Sequence, residues 1–247
     1  NLGHWRHNQR LASITLTFGS VGLVLVCLGV LWAMGSAGSL PSWTWLVNSA
    51  IVTALMDLDG DVLLWVNQWI SIIGWFDNVI ELVVSDYLVT VGMALILVWM
   101  WFIGQDTSNR MRNQVGVFVG LMAMGLSSWA VYAINGVYQR PRPFIENDIS
   151  VLFYFPTDPS FPSNSAAVTS SIAVAILLAN RKIGLVLLVG AVVLGLSRIY
   201  AGVHYPLDVI CGWIIGTVMA FLVYKLFDRI QPLPSLVIKV ARAVFLA

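Results

Sequence analysis

Three short stretches of this 247-residue chain gather residue types suited to handling phosphate. The first is Asn135-Gly-Val-Tyr-Gln-Arg140-Pro-Arg142-Pro143, and the second is Phe161-Pro-Ser163-Asn164-Ser165-Ala. The third is Ser197-Arg198-Ile-Tyr-Ala-Gly-Val-His204-Tyr-Pro-Leu-Asp208. A phosphoryl group in transfer spreads negative charge over its equatorial oxygens, so a site for it needs fixed donors aimed there. Arg142 and Arg198 offer planar forks that match phosphate oxygens. Ser163 and the unpaired N–H groups of the apolar helix that follows it make an anion site at a helix N-terminus. His204 and Asp208 are four residues apart, with Pro206 near the first turn of a helix, so they share one face. Asp208 can then hold the imidazole tautomer and leave one ring nitrogen free to attack phosphorus. A lone histidine would more simply cap an interfacial helix, but Ser197-Arg198 and Asp208 around it favour the chemistry.

The elements that must carry these stretches are membrane helices. Apolar residues make up 59% of the chain and charged residues only 10%, against about 25% charged in a soluble domain. Apolar runs of spanning length, about 20 residues, are Ala12 to Met34, Tyr87 to Ile103, Val115 to Tyr138, Ala166 to Asn180 (short, but extensible), Ile183 to Tyr200, and Pro206 to Phe227. The expected architecture is all-α, one domain over residues 1–247, a bundle of six transmembrane helices. The first run reads as an anchor rather than a cleaved leader. Between the first two spans, Pro41 to Asp86 mixes apolar residues with six acidic ones and reads as amphipathic helices lying in the interface. Asp57-Leu-Asp59-Gly-Asp61 has the look of a calcium loop, but Gln68 stands where a bidentate Glu is needed. It reads as a solvated helix edge.

Six spans put the termini on one side of the membrane together with Arg6, Arg10, Arg110, Arg112, Arg181, Lys182, Lys225, Arg229, Lys239 and Arg242. Only Arg140, Arg142 and Arg198 fall on the other side. By the positive-inside rule the termini are cytoplasmic, and all three phosphate-handling stretches face outward. A net charge of +1 argues against nucleic acid as a partner. Cys27 and Cys211 sit in apolar runs without His or Cys at metal-ligand spacing, so neither a disulfide nor a metal site is expected.

The three stretches resemble the signature motifs of the type 2 phosphatidic-acid phosphatase (PAP2) superfamily, and the resemblance extends in character over all six spans. The family patterns are Lys, six residues, Arg-Pro; Pro-Ser-Gly-His; and Ser-Arg, five residues, His, three residues, Asp. The third is met in full by Ser197, Arg198, His204 and Asp208. The resemblance implies a metal- and cofactor-independent lipid phosphatase of a bacterial plasma membrane. His204 would be the nucleophile that forms a phosphohistidine and Asp208 its orienter. Arg142, Arg198, Ser163, Asn164 and Arg140 would hold phosphate.

Two family positions that supply a cation or an acid differ, beside Asn164 at the motif-two Gly. Asn135 stands at the motif-one Lys, with Arg140 nearby as a second arginine, and Ser165 stands at the motif-two His, the family's general acid. His4 and His7 belong to the cytoplasmic end and cannot replace that acid. A serine does not protonate a leaving oxygen at neutral pH. A lipid alcohol leaves as an alkoxide, whose conjugate acid has a pKa near that of water, about 15.7. A diphosphate leaves as a phosphate monoester with a second pKa of about 6. Losing an acid worth about 10²–10⁴-fold therefore matters least for a diphosphate, which favours an isoprenoid diphosphate over phosphatidate or phosphatidylglycerophosphate. An inactivated variant, a relative that binds or transports phospholipid, and a lipid phosphotransferase are the other readings.

Overall fold

The computed structural model describes residues 50–230 apart from 73, 86 and 105. The expected first span, Cys27, His4, His7 and the outermost basic residues at both ends lie outside the described residues. Within them every regular element is a helix: α1 (Ala50–Asn67), α2 (Gly74–Val84), α3 (Leu88–Phe102), α4 (Thr107–Val137), α5 (Pro143–Glu146), α6 (Asn164–Ala179), α7 (Arg181–Tyr200) and α8 (Pro206–Arg229).

By length and apolarity α4, α7 and α8 can each cross a membrane alone, and the bent pair α2–α3 makes a fourth candidate. The expected fourth span is α6, whose 16 residues give a rod of about 24 Å, short of a hydrocarbon core of about 30 Å. The other helices shield it instead. One cluster packs Met93, Leu97 and Met100 of α3 with Val117, Ile172, Ile176, Leu187 and Ala191. A second packs Val119 and Ala123 of α4 with Ala175 of α6 and Ala220 and Val223 of α8. The hydroxyls of Thr169, Ser170 and Ser171 all donate to main-chain carbonyls of α6 itself, so these three polar groups need no water.

Helix α8 reaches α6 at unusually short range because Gly212 and Gly216 face it. A β-carbon at Gly212 would lie 2.5 Å from the Ser163 carbonyl oxygen, and one at Gly216 would collide with the Ala167 carbonyl and the Ser170 hydroxyl. Small residues four apart let two helix backbones approach closely, which matters where lipid supplies no hydrophobic drive between helices.

The amphipathic segment is the hairpin α1–α2. Its inward stripe is Asp59, Leu63, Asn67 and Ile70. Outward stand Trp65, Trp69, Ile72 and Trp75, large side chains suited to a membrane boundary. Asp57 and Asp61 are exposed, as a solvated edge would be, but Asp59 is only 3% exposed. The solvated-edge reading fails for Asp59 because a buried arginine lies opposite it. Two further clasps fix the hairpin. The Asn67 amide exchanges hydrogen bonds with the main chain of Ser150 (2.8 and 3.1 Å), and Asp77 accepts from the Tyr200 hydroxyl (2.7 Å) and the Ser71 amide (2.8 Å).

Leu95, Trp129, Val186, Val189 and Leu222 all lie bare on the outside of the bundle. Apolar surface on that scale belongs in lipid, and the chain is an integral membrane protein.

Gly216→Val should destabilise the bundle by about 1–3 kcal/mol, the usual penalty for overpacking. Gly125→Ala, with open space around it, should be neutral or slightly stabilising. Thermal unfolding in detergent reads both.

Candidate active site

Four chain segments meet at one end of the bundle: the C-terminus of α4, the N-terminus of α6, the C-terminus of α7 and the N-terminus of α8. All three sequence stretches therefore converge. Pro141 and Pro143 prevent α4 from continuing, and they carry Arg140 and Arg142 past its end in non-helical backbone. Pro206 sits in the first turn of α8, whose start is closed by the Asp208 carboxylate accepting the Tyr205 amide (2.9 Å).

His204 is buried, and its Nδ1 lies 2.9 Å from the Ser160 carbonyl oxygen. A carbonyl can only accept, so Nδ1 carries a proton, and in the neutral ring Nε2 then keeps its lone pair. The direct bond from Asp208 expected from the sequence is not made, since Asp208 Oδ2 stands 3.8 Å from Nδ1. Asp208 acts one residue removed. It accepts the Ser160 hydroxyl (2.5 Å), while the Ser160 amide donates to the Arg140 carbonyl (2.9 Å). Burial pushes the His204 pKa below the usual value, Arg142 and Arg198 add to the depression, and Asp208 opposes it.

Arg142 donates from Nε to the Asp158 carbonyl and from Nη2 to the Asp158 carboxylate, both at 2.9 Å. Nη1 donates to the Val203 carbonyl (2.9 Å) and sits 3.5 Å from His204 Nε2. Asp158 thus holds one edge of the guanidinium, and Nη1 is turned to the imidazole. Arg198 is buried as well, its guanidinium 4.7 Å from the centre of the Phe153 ring.

Ser163 precedes the first turn of α6 without capping it, and its hydroxyl is fully buried with no hydrogen-bond partner. The Asn135 side-chain oxygen is likewise buried and unpartnered. Buried polar atoms are normally satisfied, and of these two only the Ser163 hydroxyl stands at a helix N-terminus, where it is open to a polar ligand, while Asn135 lies in the last turn of α4. Asn164 is exposed and accepts from Ser128 on α4 (2.8 Å). Ser165 is half-buried on the first turn of α6.

Arg140 departs from its expected part in phosphate binding. Its Nη1 pairs with Asp208 and its Nη2 with Asp59, each at 2.7 Å, and it stacks 3.8 Å from the Tyr205 ring centre. Burial would lower its pKa, but the two carboxylates hold it above the ordinary value. For Asp59, burial raises the carboxyl, opposed by the Leu207 amide and Arg140. Sequence reasoning missed Asp59, Ser160 and Asp158. Asp59 had a signal, an acid on the stripe of Leu63 and Ile70, while Ser160 enters mainly through a main-chain carbonyl that no side-chain pattern records.

The sequence model of the PAP2 superfamily matches residues 116–232. Undecaprenyl-diphosphatase BcrC of Bacillus subtilis (strain 168) is 32% identical over 161 residues, covering 65% of this chain and 80% of that protein. The chain belongs to the PAP2 superfamily. A putative undecaprenyl-diphosphatase of Escherichia coli, YbjG, is 29% identical over 166 residues, 64% of this PAP2 chain and 80% of YbjG. A solved PAP2-type phosphatidylglycerolphosphate phosphatase from Bacillus subtilis shares the fold, with a TM-score of 0.58 at 21% identity over 86% of this chain and 98% of that one. Aquifex aeolicus LpxE superposes with a TM-score of 0.53 at 27% identity, covering 67% and 93%. The PAP2 match takes in every motif residue, but α1 and α2 lie before it.

With its folded pKa depressed, His204 binds fewer protons in the folded than in the unfolded PAP2 protein below about pH 6.5. Stability should therefore be complete above that value and fall as pH drops from it toward the lower folded pKa. Melting temperatures in detergent between about pH 7 and 5 should show this loss, and His204→Gln should flatten it.

Proposed function

We propose that the protein is a membrane lipid phosphatase that removes the terminal phosphoryl group of an isoprenoid diphosphate through a phosphohistidine on His204. The observation that carries the reading is the state of that imidazole: Nδ1–H committed to the Ser160 carbonyl, and Nε2 bearing a lone pair beside Arg142 Nη1. Nε2 attacks phosphorus, and the bond to the bridging oxygen breaks with its electron pair leaving on the lipid monophosphate. Arg142, Arg198, the Ser163 hydroxyl and the first N–H groups of α6 receive the equatorial oxygens. Positive charge arising on the ring meets the Ser160 carbonyl, with Asp208 behind it. Water then cleaves the nitrogen–phosphorus bond and releases phosphate.

The choice of a diphosphate rests on Ser165, which stands where the family carries an acid, and accords with the undecaprenyl-diphosphatase relatives. Such a leaving group departs without help. The reading includes six spans and a site facing outward. Arg110, Arg112, Arg181, Lys182, Lys225 and Arg229 crowd the end of the bundle opposite the site, as expected for the cytoplasmic face of a bacterial plasma membrane.

In detergent, the protein should release phosphate from an isoprenoid diphosphate faster than from phosphatidate, and His204→Ala should abolish both. Ser165→His should raise phosphatidate hydrolysis more than diphosphate hydrolysis, since alkoxide departure gains most from a proton. If parent, Ser165→His and Ser165→His with Asn135→Lys are all folded and silent on every lipid, phospholipid binding or transport replaces catalysis.

Arg142→Ala should weaken vanadate binding by about 1.5–3 kcal/mol, the range for charged hydrogen bonds. Arg112→Ala at the far end should leave it unchanged. Equal small losses at both would contradict a phosphate site at Arg142.

A further inference from the structure

Asp59 has no part in the PAP2 match, which begins at residue 116, and it lies on a helix outside the three motif stretches. Yet its side chain is wholly buried and every contact leads toward His204. Oδ1 accepts the Leu207 amide on the first turn of α8 (2.8 Å), and Oδ2 pairs with Arg140 Nη2 (2.7 Å). Arg140 Nη1 pairs with Asp208 Oδ1, and Asp208 Oδ2 accepts the Ser160 hydroxyl. The Ser160 carbonyl accepts His204 Nδ1–H. An unbroken line of short polar contacts thus joins the interfacial helix to the imidazole.

We infer that Asp59 is a positioning residue for the nucleophile: through Arg140 it sets the place and the charge of the Asp208–Ser160 pair that holds His204. The inference rests on the nucleophilic role proposed above. Two carboxylates surround one guanidinium, so the buried cluster carries one net negative charge. That charge lies behind an imidazole that turns positive as Nε2 forms its bond to phosphorus, where an electrostatic contact strengthens in the transition state. Without Asp59, Arg140 and Asp208 would form a neutral pair and the benefit would shrink. Other charges also face the ring. Arg142 and Arg198 oppose its positive form, Asp158 reaches it only through Arg142, and Glu146 stands off on the Tyr205 hydroxyl (3.1 Å).

The simpler alternative is a staple that docks α1 and does nothing for chemistry. The hairpin has other fastenings, however, in Asn67 on Ser150, in Asp77 on Tyr200, and in Leu63 packed beneath the site with Ala166, Ile199, Tyr205 and Val209. Charge and docking are therefore separable. Asp59→Asn removes the charge and can still accept the Leu207 amide. Asn67→Ala loosens the hairpin and leaves every charge in place.

The test uses the full chain in detergent, with ¹⁵N-labelled histidine, the His204 signals being assigned by their loss in His204→Gln. Asp59→Asn is expected to lower the His204 pKa by about half a unit or more. It should also cut kcat on an isoprenoid diphosphate roughly tenfold or more, as for loss of one charged contact, with KM nearly unchanged. Asp59→Glu should recover much of both, and Asn67→Ala should shift neither. Should Asp59→Asn fail to fold, Asp59→Ser, small enough to admit a water, is held to the same values. An unmoved His204 pKa in a folded charge-removing variant overturns the inference, as does an equal shift in Asn67→Ala. A parent without phosphatase activity refutes the proposed function instead, while the titration still decides whether Asp59 acts on His204.

Discussion

A guanidinium cannot be left bare in a protein interior at a membrane boundary, and the site is organised around that constraint at Arg140. Desolvating an ion costs several kcal/mol even after relaxation, so Arg140 is enclosed by Asp59, Asp208 and the face of Tyr205. Those partners come from α1, from the first turn of α8 and from the residue that starts it. One cation therefore ties the segment after α4 to α1 and to the start of α8, both distant from it in sequence. Its main-chain carbonyl also receives the Ser160 amide, so the same residue places the acceptor for His204. With the cluster in place, Asp208 Oδ2, the oxygen nearer the imidazole, already accepts the Ser160 hydroxyl and the Tyr205 amide, and a main-chain oxygen takes the Nδ1 proton.

The two arginines of Arg140-Pro-Arg142-Pro thus divide the labour. Arg140 is a buried structural cation with both terminal nitrogens committed. Arg142, two residues on, is held along one edge by Asp158 and brings Nη1 to the nitrogen of His204 that keeps its lone pair. Pro141 and Pro143 each follow one of these arginines and bias it to extended backbone, in which the two side chains reach different surroundings. Helix α6 makes the matching contribution. Its N-terminus is pressed against α8 through Gly212 and Gly216, which keeps the unpartnered Ser163 hydroxyl within the same enclosure as His204 and Asp208.

The changed residues Asn135 and Ser165 lie in the last turn of α4 and the first turn of α6. Asn135 contributes a buried oxygen without a partner rather than a cation, and Ser165 a half-buried hydroxyl on the first turn of α6 rather than an acid. The surroundings of the proposed nucleophile, with Nδ1 on the Ser160 carbonyl and Arg142 beside Nε2, do not depend on either. In the proposed reaction the alterations bear on charge neutralisation and on the leaving group, and so on the choice of substrate rather than on the first bond formed.

Local pattern alone determined a good deal of this protein. Apolar runs marked α3, α4, α6, α7 and α8 to within a few residues at most ends, because membrane helices satisfy their own backbone and reveal themselves by composition. The start of α4 at Thr107 rather than Val115 is the exception, set by Asp106, which accepts the Asn109 amide ahead of the apolar run. The convergence of the three motif stretches was also legible, since alternating spans return to one face. What each side chain does there was decided by tertiary structure. Arg140 and Arg142 look alike in sequence, and only the approach of Asp59 from another helix makes one of them structural. Ser160 supports His204 through a carbonyl that every residue possesses. Sequence records which groups are present and at what interval along a helix, but a buried charge chooses its partner among groups that only the fold brings within 3 Å.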